Sequence, residues 1–146
     1  MNKQDSILTE YLKSSINRPH HDTAENLKRM VVYNGVVWKS ANALCLACGI
    51  QLASLCRHKR FFHTDTVETI RSYLDNGRGR EPSAEDVEQY RSLFYRGQYY
   101  NSCNSLAEAY GFRRGTLLYQ KMKKENLGYA DAMDLLIRAS HRGRVA

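Results

Sequence analysis

The spacing of apolar positions changes along the chain, and the change predicts hairpins that are followed by helices. Residues 31–38 form a β-branched and aromatic run that Asn34 and Gly35 interrupt. This pair tolerates positive φ at both central positions of a tight type I′ turn, so the run predicts two short strands. Residues 94–100 carry aromatic side chains on both sides of Arg96-Gly97 and predict a second hairpin. Strands this short are not stable alone, so they are expected to pack against helices.

After each hairpin the apolar spacing becomes three and four residues, which is typical of a helix with one buried face. Ser40 and Ser102 stand where a side-chain oxygen can cap the first turn. Gly49 and Gly111 stand where a left-handed residue can end the helix, since glycine enters that region without a steric penalty. The pattern therefore predicts one capped helix of about two turns in each half.

A second helix is expected after each glycine. Leu52 and Leu55 are expected to face inward in the first half, and Leu117 in the second. Cys45 and Ala107 lie four positions before the glycines, and their small side chains allow the two helix backbones to approach closely. Each half thus predicts a pair of helices joined by a tight turn.

The two halves match each other in sequence. Residues 33–55 and 95–117 correspond at a constant separation of 62 positions, as the pairs Gly35/Gly97 and Gly49/Gly111 illustrate. Related segments upstream differ by 60 positions and those downstream by 63. Matching glycines, serines and apolar positions at a fixed separation are typical of a duplicated structural unit. We therefore expect a mainly α fold made of two tandem repeats.

The glycine-centred helix pair resembles the helix-turn-helix. That family has a small residue, a glycine four positions later, and apolar residues one and six positions after the glycine. Both halves match this pattern, with Cys45, Gly49, Ile50 and Leu55 in the first and Ala107, Gly111, Phe112 and Leu117 in the second. The preceding tyrosine, glycine, aromatic and serine positions resemble the small repeat modules of phage proteins and of the tails of intron-encoded homing endonucleases. The resemblance implies that the second helix of each pair enters the major groove of DNA.

With this motif in place, each repeat is expected to contain a leading helix, a short β-hairpin, a helix-turn-helix and a closing helix. The expected divisions are an N-terminal amphipathic helix at 1–18, a first repeat at 19–75, a basic Gly/Arg linker at 76–82 and a second repeat with a basic tail at 83–146. The N-terminal stripe of Ile7, Leu8, Tyr11 and Leu12 could cap the first repeat or form a dimer contact through residues 5–16. The linker is expected to let the repeats move independently until DNA fixes them.

Charge favours a polyanionic partner. The chain has 22 lysines and arginines against 15 acids, a formal net charge of +7, and the basic residues gather on the second helix of each pair and in two Arg-Gly-Arg segments. Few acids share those segments, because none lies between Gly49 and Asp65 or between Gly111 and Glu125. The candidate nucleic-acid-binding residues are Gln51, Ser54, Arg57, His58, Lys59, Arg60, Arg78, Arg80, Arg113, Arg114, Thr116, Tyr119, Gln120, Lys121, Lys123, Lys124, Arg142 and Arg144.

Position along the helices divides these candidates by role. The early ones, Gln51 and Ser54 together with Arg113, Arg114 and Thr116, are expected to reach base edges. The late lysines and Arg60 are expected to meet phosphates, and the Arg-Gly-Arg segments the backbone or minor groove. A solvated helix face is the alternative explanation for any single charged residue.

The cysteines and histidines give no expectation of a metal, another cofactor or catalysis. Cys45, Cys48 and Cys56 with the nearby histidines could be written as a zinc site. The positions 62 residues later are Ala107, Tyr110 and Leu118, which predicts that these cysteines pack as small hydrophobic side chains. No phosphate-binding loop motif accompanies the turn glycines. We therefore expect no metal, no cofactor and no enzyme activity.

Together these features predict a duplex DNA-binding protein, sequence-specific or shape-selective, of the kind found among phage-type or bacterial transcriptional regulators. Two alternatives stay open. The basic faces could grip a nuclease or its nucleic-acid complex, as a phage-encoded, anti-CRISPR-like inhibitor would, or they could bind RNA. The first residues lack a signal-peptide core and no apolar run is long enough to span a bilayer, so the cytoplasm or nucleoid is the expected location, with no membrane partner.

Overall fold

The computed structural model describes residues 3–15, 18 and 21–145, the last five of these in their backbone only. The side chains of Arg142 and Arg144, and the expected boundary between residues 18 and 19, lie outside this described part. The chain is 63% helical and carries two small antiparallel β-hairpins. The prediction of a mainly α fold with short hairpins is confirmed.

The elements follow each other closely along the chain. The first half contains α1 (Lys3–Ser14), α2 (Ala24–Arg29), β1 (Val31–Tyr33), β2 (Val36–Trp38), α3 (Ala41–Cys48), α4 (Leu52–Phe62) and α5 (Thr66–Asp75). The second half contains α6 (Ala84–Tyr90), β3 (Leu93–Tyr95), β4 (Gln98–Tyr100), α7 (Cys103–Ala109), α8 (Thr116–Glu125) and α9 (Tyr129–Val145).

Both hairpins close through two residues with positive φ. Asn34 and Gly35 have φ of 49° and 77°, and Arg96 and Gly97 have 48° and 81°. These are the left-handed angles that a type I′ turn requires, and they pair Tyr33 with Val36 in the first hairpin. The arginine in the second turn therefore adopts the conformation that asparagine accepts more easily, and Gly97 supplies the position that most needs a glycine.

The predicted caps are present. The Ser40 hydroxyl accepts a hydrogen bond from the Ala43 backbone N–H at 3.1 Å. The Ser102 hydroxyl accepts one from Ser105 at 3.2 Å. Gly49 ends α3 in the left-handed region with φ of 72°, as its position in the pattern predicts.

Each half has its own buried core. The first contains Trp38, Leu44, Leu55 and Ile70, each at most 1% exposed, together with other side chains of β1, α3 and α5. The second is built from Tyr95, Tyr100, Leu106, Leu118, Ala132 and Met133. Each core therefore joins a hairpin to the helix pair that follows it and to a closing helix.

The inward positions expected of the second helices are correct for Leu55 and wrong for two other leucines. Leu117 is 52% exposed and its neighbour Leu118 is fully buried, while Leu52 at the start of α4 is 37% exposed. The turn before α8 explains the first error. Gly115 is buried in that turn and donates its N–H to the Asn104 side chain at 2.7 Å, so α8 begins only at Thr116 and faces the core one residue later.

The leading helices α2 and α6 each contact the other half of the chain. Helix α2 contacts β4 of the second hairpin, and α6 contacts β2 and α3 of the first half. Lys39 donates its backbone N–H to the Tyr90 carbonyl at 3.0 Å, and Ser92 donates to the Val37 carbonyl at 2.7 Å. The two halves therefore form one packed body in which each hairpin is partly covered by the helix that precedes the other, while α2 also packs against Val32 and Val37 of its own hairpin.

Asp22 and Asn101 add a polar link between the halves. The buried Asp22 carboxylate accepts the Asn101 backbone N–H at 2.7 Å and the Asn26 side-chain amide at 2.9 Å. The Asn101 side chain in turn donates to the Lys39 carbonyl at 2.9 Å. A carboxylate that receives several hydrogen bonds inside the protein fixes the groups around it.

Helix α1 packs across both hairpins. Leu8 and Leu12 pack against Leu27 and Met30 of α2, and the Tyr11 hydroxyl donates to the Gly97 carbonyl of the second turn. The apolar stripe expected on this helix is thus largely occupied within the chain, although Ile7 remains 59% exposed.

The linker at 76–82 is hydrogen-bonded to other parts of the chain, and the segment 142–144 is helical. Arg80 in the linker donates its backbone N–H to the Cys48 carbonyl at 2.8 Å, and the Tyr33 hydroxyl donates to the Glu81 carboxylate at 3.1 Å. The backbone of residues 142–144 continues α9 and does not form a loose tail. Across the described ranges, no helix combines the length and apolar character that crossing a membrane requires.

The neighbouring leucines of α8 give a matched test of its register. Leu118→Ala removes a fully buried side chain and should lower the free energy of unfolding by about 2–5 kcal/mol, while Leu117→Ala should change it by less than about 0.5 kcal/mol. Urea denaturation followed by circular dichroism measures both. Equal losses for the two variants would contradict the orientation of α8.

Candidate nucleic-acid interface

Helix α4 is anchored by one residue and presents most of its length to solvent. Leu55 is its fully buried side chain, while Arg57 and Arg60 are exposed. In the described part of the chain, no carboxylate lies within ion-pairing distance of either arginine. The positive face of α4 is therefore available to an external anion.

Two polar candidates lie at the start of α4. Gln51 is exposed at the N-cap position and makes no side-chain capping bond, so its amide group is available to a ligand. Ser54 is half-buried, and its carbonyl accepts the Tyr73 hydroxyl at 3.3 Å. Gln51 is therefore more accessible to a ligand than Ser54.

His58 and Lys59 face α5 more than solvent. The His58 ring lies against Phe62 and Tyr73, with centroid distances of 4.5 and 5.4 Å. Lys59 donates from Nζ to the Thr66 hydroxyl at 2.9 Å. Both side chains therefore lie on the flank of the exposed face.

The second half places its paired arginines ahead of the helix. Arg113 and Arg114 are exposed, but they occupy the turn that precedes Thr116 and not the first turn of α8 that the sequence pattern indicated. The same buried Gly115 that shifts the register of the leucines delays the helix start. The arginines thus project from a loop that the Asn104 side chain holds in place.

Helix α8 exposes most of its other candidates. Thr116, Gln120, Lys123 and Lys124 are exposed, whereas Lys121 is half-buried and forms an ion pair with Glu125 at 3.0 Å. This is the one candidate whose charge the described carboxylates neutralise at ion-pairing distance.

Tyr119 is 53% exposed on the same helix. Partial burial raises the pKa of its phenol, and a hydrogen bond with the Cys103 thiol adds to the effect. The Tyr119 ring is accessible to a ligand, while its hydroxyl is hydrogen-bonded to Cys103 at the start of α7.

Two acids that lie outside the candidate helices bind groups of the hairpins. Asp134 of α9 accepts hydrogen bonds from the Tyr95 hydroxyl and, at 3.2 Å, from Arg96. The Tyr95 bond first, and then Arg96, hold the pKa of Asp134 below its usual range. Burial, helped by the Glu81 carboxylate, raises the pKa of Tyr33 to about 12. These carboxylates are engaged with the protein's own hairpins.

The two arginines of the linker point to different surroundings. Arg78 lies beside His58 and Tyr73 at the end of α5. The Arg80 guanidinium reaches the neighbourhood of Gly49 and lies close enough to Asp86 to lower the pKa of that carboxyl, after the larger effect of the Ser83 hydrogen bonds. Only Arg78 joins the candidates of α4.

The cysteines divide into buried and exposed groups. Cys45 and Cys48 are fully buried, and burial raises the pKa of both thiols to about 11. Their predicted packing as small hydrophobic side chains is confirmed. The same prediction is wrong for Cys56, which is exposed, and its counterpart cannot be the buried Leu118. Within the described residues, no cluster of three metal-binding side chains occurs.

The charge pattern gave no indication of the exposed aromatic side chains at the end of α4. Phe61 is 76% exposed and Phe62 58%, with their ring centroids 4.8 Å apart. Phe61 lies six residues after the buried Leu55, roughly 240° around the helix, which places it away from the core. Helical spacing from a known inward residue is the signal that could have identified it.

Comparisons of the chain with protein-family models, with curated proteins and with solved structures find no match. The resemblance to the helix-turn-helix therefore rests on the residues described above, and in the second half the buried leucine is Leu118, one position beyond the one that the pattern indicates.

The exposure of Cys56 provides a probe of the outer face of α4. A maleimide at pH 8 should modify Cys56 rapidly and leave Cys45 and Cys48 unmodified until the chain unfolds, because buried thiols with a pKa of about 11 stay protonated. Mass spectrometry of the native and urea-unfolded protein counts the labels. Rapid native labelling of a Cys56→Ser variant at position 45 or 48 would show that α3 is not buried as described.

Proposed function

We propose that the protein binds duplex DNA through two copies of a helix-turn-helix module, with α4 and α8 as the recognition helices. The observation that carries the proposal is an exposed basic surface on the second helix of each pair, largely free of the protein's own described carboxylates. Counterion release from DNA phosphates would supply most of the affinity.

Equivalent structural features support two copies of one module. The turn residues and helix caps recur 62 positions apart up to Gly49 and Gly111. Beyond the turn that holds Gly115, they recur 63 positions apart. Leu55 and Leu118 are both fully buried, and His63 and Asn126 both end helices with left-handed φ, of 54° and 52°. A duplicated unit with one residue added in the second turn accounts for both separations.

The helix pairs themselves support the helix-turn-helix interpretation. Cys45 and Ala107 are buried at 0% and 1% exposure on the first helix of each pair, and those helices contact α4 and α8. These small residues lie on the helix that α4 or α8 packs against. The opposite face of α4 and of α8 therefore remains outside the core. An exposed second helix that is held by the first is the arrangement that fits a major groove.

The exposed candidates divide into groups that suit reading and anchoring. Gln51 and the arginines of the turn before α8 carry the donor groups that pair with adenine and guanine edges. Arg60, Lys123 and Lys124 are exposed further along the helices, where phosphate contacts set affinity without reading sequence. We assign sequence or shape selectivity to the first group and salt-dependent affinity to the second.

A double charge reversal tests the proposed surface. Arg113→Glu with Arg114→Glu should abolish duplex binding and leave the circular dichroism spectrum and unfolding midpoint unchanged, because both side chains are exposed. The matched control reverses Lys28 and Arg29, an exposed adjacent pair at the end of α2. The control should keep most of the affinity.

Titrations of random duplex, single-stranded DNA and structured RNA at several salt concentrations measure the effect. Duplex preference with a steep salt dependence is the expected result, each phosphate contact contributing about 0.9 to the slope of log affinity against log salt. Stronger binding to RNA, no binding at about micromolar protein, or equal losses for the two double variants would refute the assignment.

A further inference from the structure

An open cleft lies between α4 and the end of α5, with polar and apolar side chains along it. One part has a volume of about 470 Å³ and is lined by Ser54, Arg57, His58, Phe61, Tyr73 and Arg78. An adjoining part of about 380 Å³ shares His58, Tyr73 and Arg78 and adds Ser72 and Asn76. The shared residues make the two parts one continuous site.

The end of α5 fixes Arg78 at this cleft. Gly77 adopts a left-handed φ of 74°, and the chain turns back so that Arg78 donates its N–H to the Tyr73 carbonyl at 2.8 Å and Gly77 donates to Leu74 at 3.0 Å. This pair of bonds is the Schellman arrangement that closes a helix. The backbone of Arg78 is therefore held beside Tyr73, opposite the face of α4 that carries Arg57.

The charge of the cleft is wholly positive. Arg57 and Arg78 both line it, no carboxylate is among its lining residues, and neither arginine forms an ion pair with the described acids. His58 has one ring nitrogen, Nδ1, buried without a hydrogen-bond partner in the described structure. Arginine forks and hydroxyl groups, here that of Ser72, are donors that bind phosphate oxygens, and the Asn76 amide beside them donates to the Ser72 carbonyl at 2.9 Å.

An aromatic side chain stands at the edge of the same cleft. Phe61 lines it and is 76% exposed, with its ring against Phe62. An exposed ring beside a phosphate-binding group is the combination that holds a nucleotide, because a base stacks on the ring while its phosphate meets the arginines.

We propose that this cleft binds one nucleotide, with the phosphate held between Arg57 and Arg78 and the base stacked on Phe61. The inference deepens the proposed DNA-binding function, on which it rests for the source of the nucleotide, and it requires that this nucleotide be turned out of the duplex stack so that its base can meet the ring. It names a contact that the second half does not provide, since the residues 63 positions beyond Arg57, Phe61 and Tyr73 are Gln120, Lys124 and Leu136.

Titration of the ¹⁵N-labelled full chain with deoxyadenosine monophosphate tests the site. The amide signals of Arg57, His58, Tyr73 and Arg78 should shift in a saturable manner. Deoxyadenosine alone should shift these signals far less, and inorganic phosphate should bind more weakly than the nucleotide.

Arg78→Gln should weaken nucleotide binding by roughly tenfold or more, which is the effect of losing a charged hydrogen bond. Arg29→Gln, an exposed arginine at the end of α2 and outside the candidate set, is the matched control and should bind as the parent does.

A second pair of variants separates stacking from charge. Phe61→Leu should weaken the nucleotide and leave inorganic phosphate unaffected, while Phe94→Leu, a partly exposed ring on β3, should change neither. The inference is overturned if the nucleotide shifts none of the cleft signals, or if Arg78→Gln and Arg29→Gln lose affinity equally.

Duplex binding distinguishes the two proposals. If duplex affinity falls with Arg78→Gln and not with Arg29→Gln, the nucleotide is part of the bound DNA. If the chain binds no duplex and the mononucleotide still saturates the cleft, the DNA-binding proposal fails and the site takes a free nucleotide. If duplex binds without any change at the cleft signals or any loss on Arg78→Gln, the cleft proposal fails alone.

Discussion

The fold depends on the crossed packing of each hairpin under the helix that precedes the other. Strands of three residues have too few hydrogen bonds to persist alone, so their stability comes from what covers them. Val87 and Tyr90 of α6 pack on the first core, and Tyr99 of the second hairpin packs beside Leu27 of α2. Neither half therefore buries its hairpin fully without the other, which accounts for the stability of units that are each about 60 residues long.

This packing also fixes the candidate interface. Helices α3 and α7 begin directly after the hairpins, so the bonds that join Lys39 to Tyr90 and Asn101 to Asp22 set where both helix pairs start. The linker expected to permit independent motion is bound through Arg80 to the end of α3. Relative movement of the halves would break these bonds and expose Trp38, so α4 and α8 are held in fixed positions relative to each other.

Local chemistry in the sequence predicted the turns and caps, because Asn-Gly, Arg-Gly, Ser40 and Gly49 act within four residues of where they stand. The crossed packing was not predictable, since α2 and α6 have the same local pattern whichever hairpin they cover. The inward residue of α8 was misplaced because a single added residue in the preceding turn changes the facing of every later position by about 100°. The cleft at Arg78 was missed for a different reason, because it depends on the chain folding back at the end of α5.

The outer faces of α4 and α8 carry different kinds of side chain. The outer face of α4 combines arginines with exposed phenylalanines, whereas α8 carries lysines and a tyrosine attached to Cys103. Lysine acts as a compact point charge that suits a phosphate backbone, and arginine beside an aromatic ring suits a base and its phosphate together. The proposed nucleotide contact would therefore belong to the first helix pair, and it would add to the base-edge contacts proposed for Gln51 in the first half and for Arg113 and Arg114 in the second.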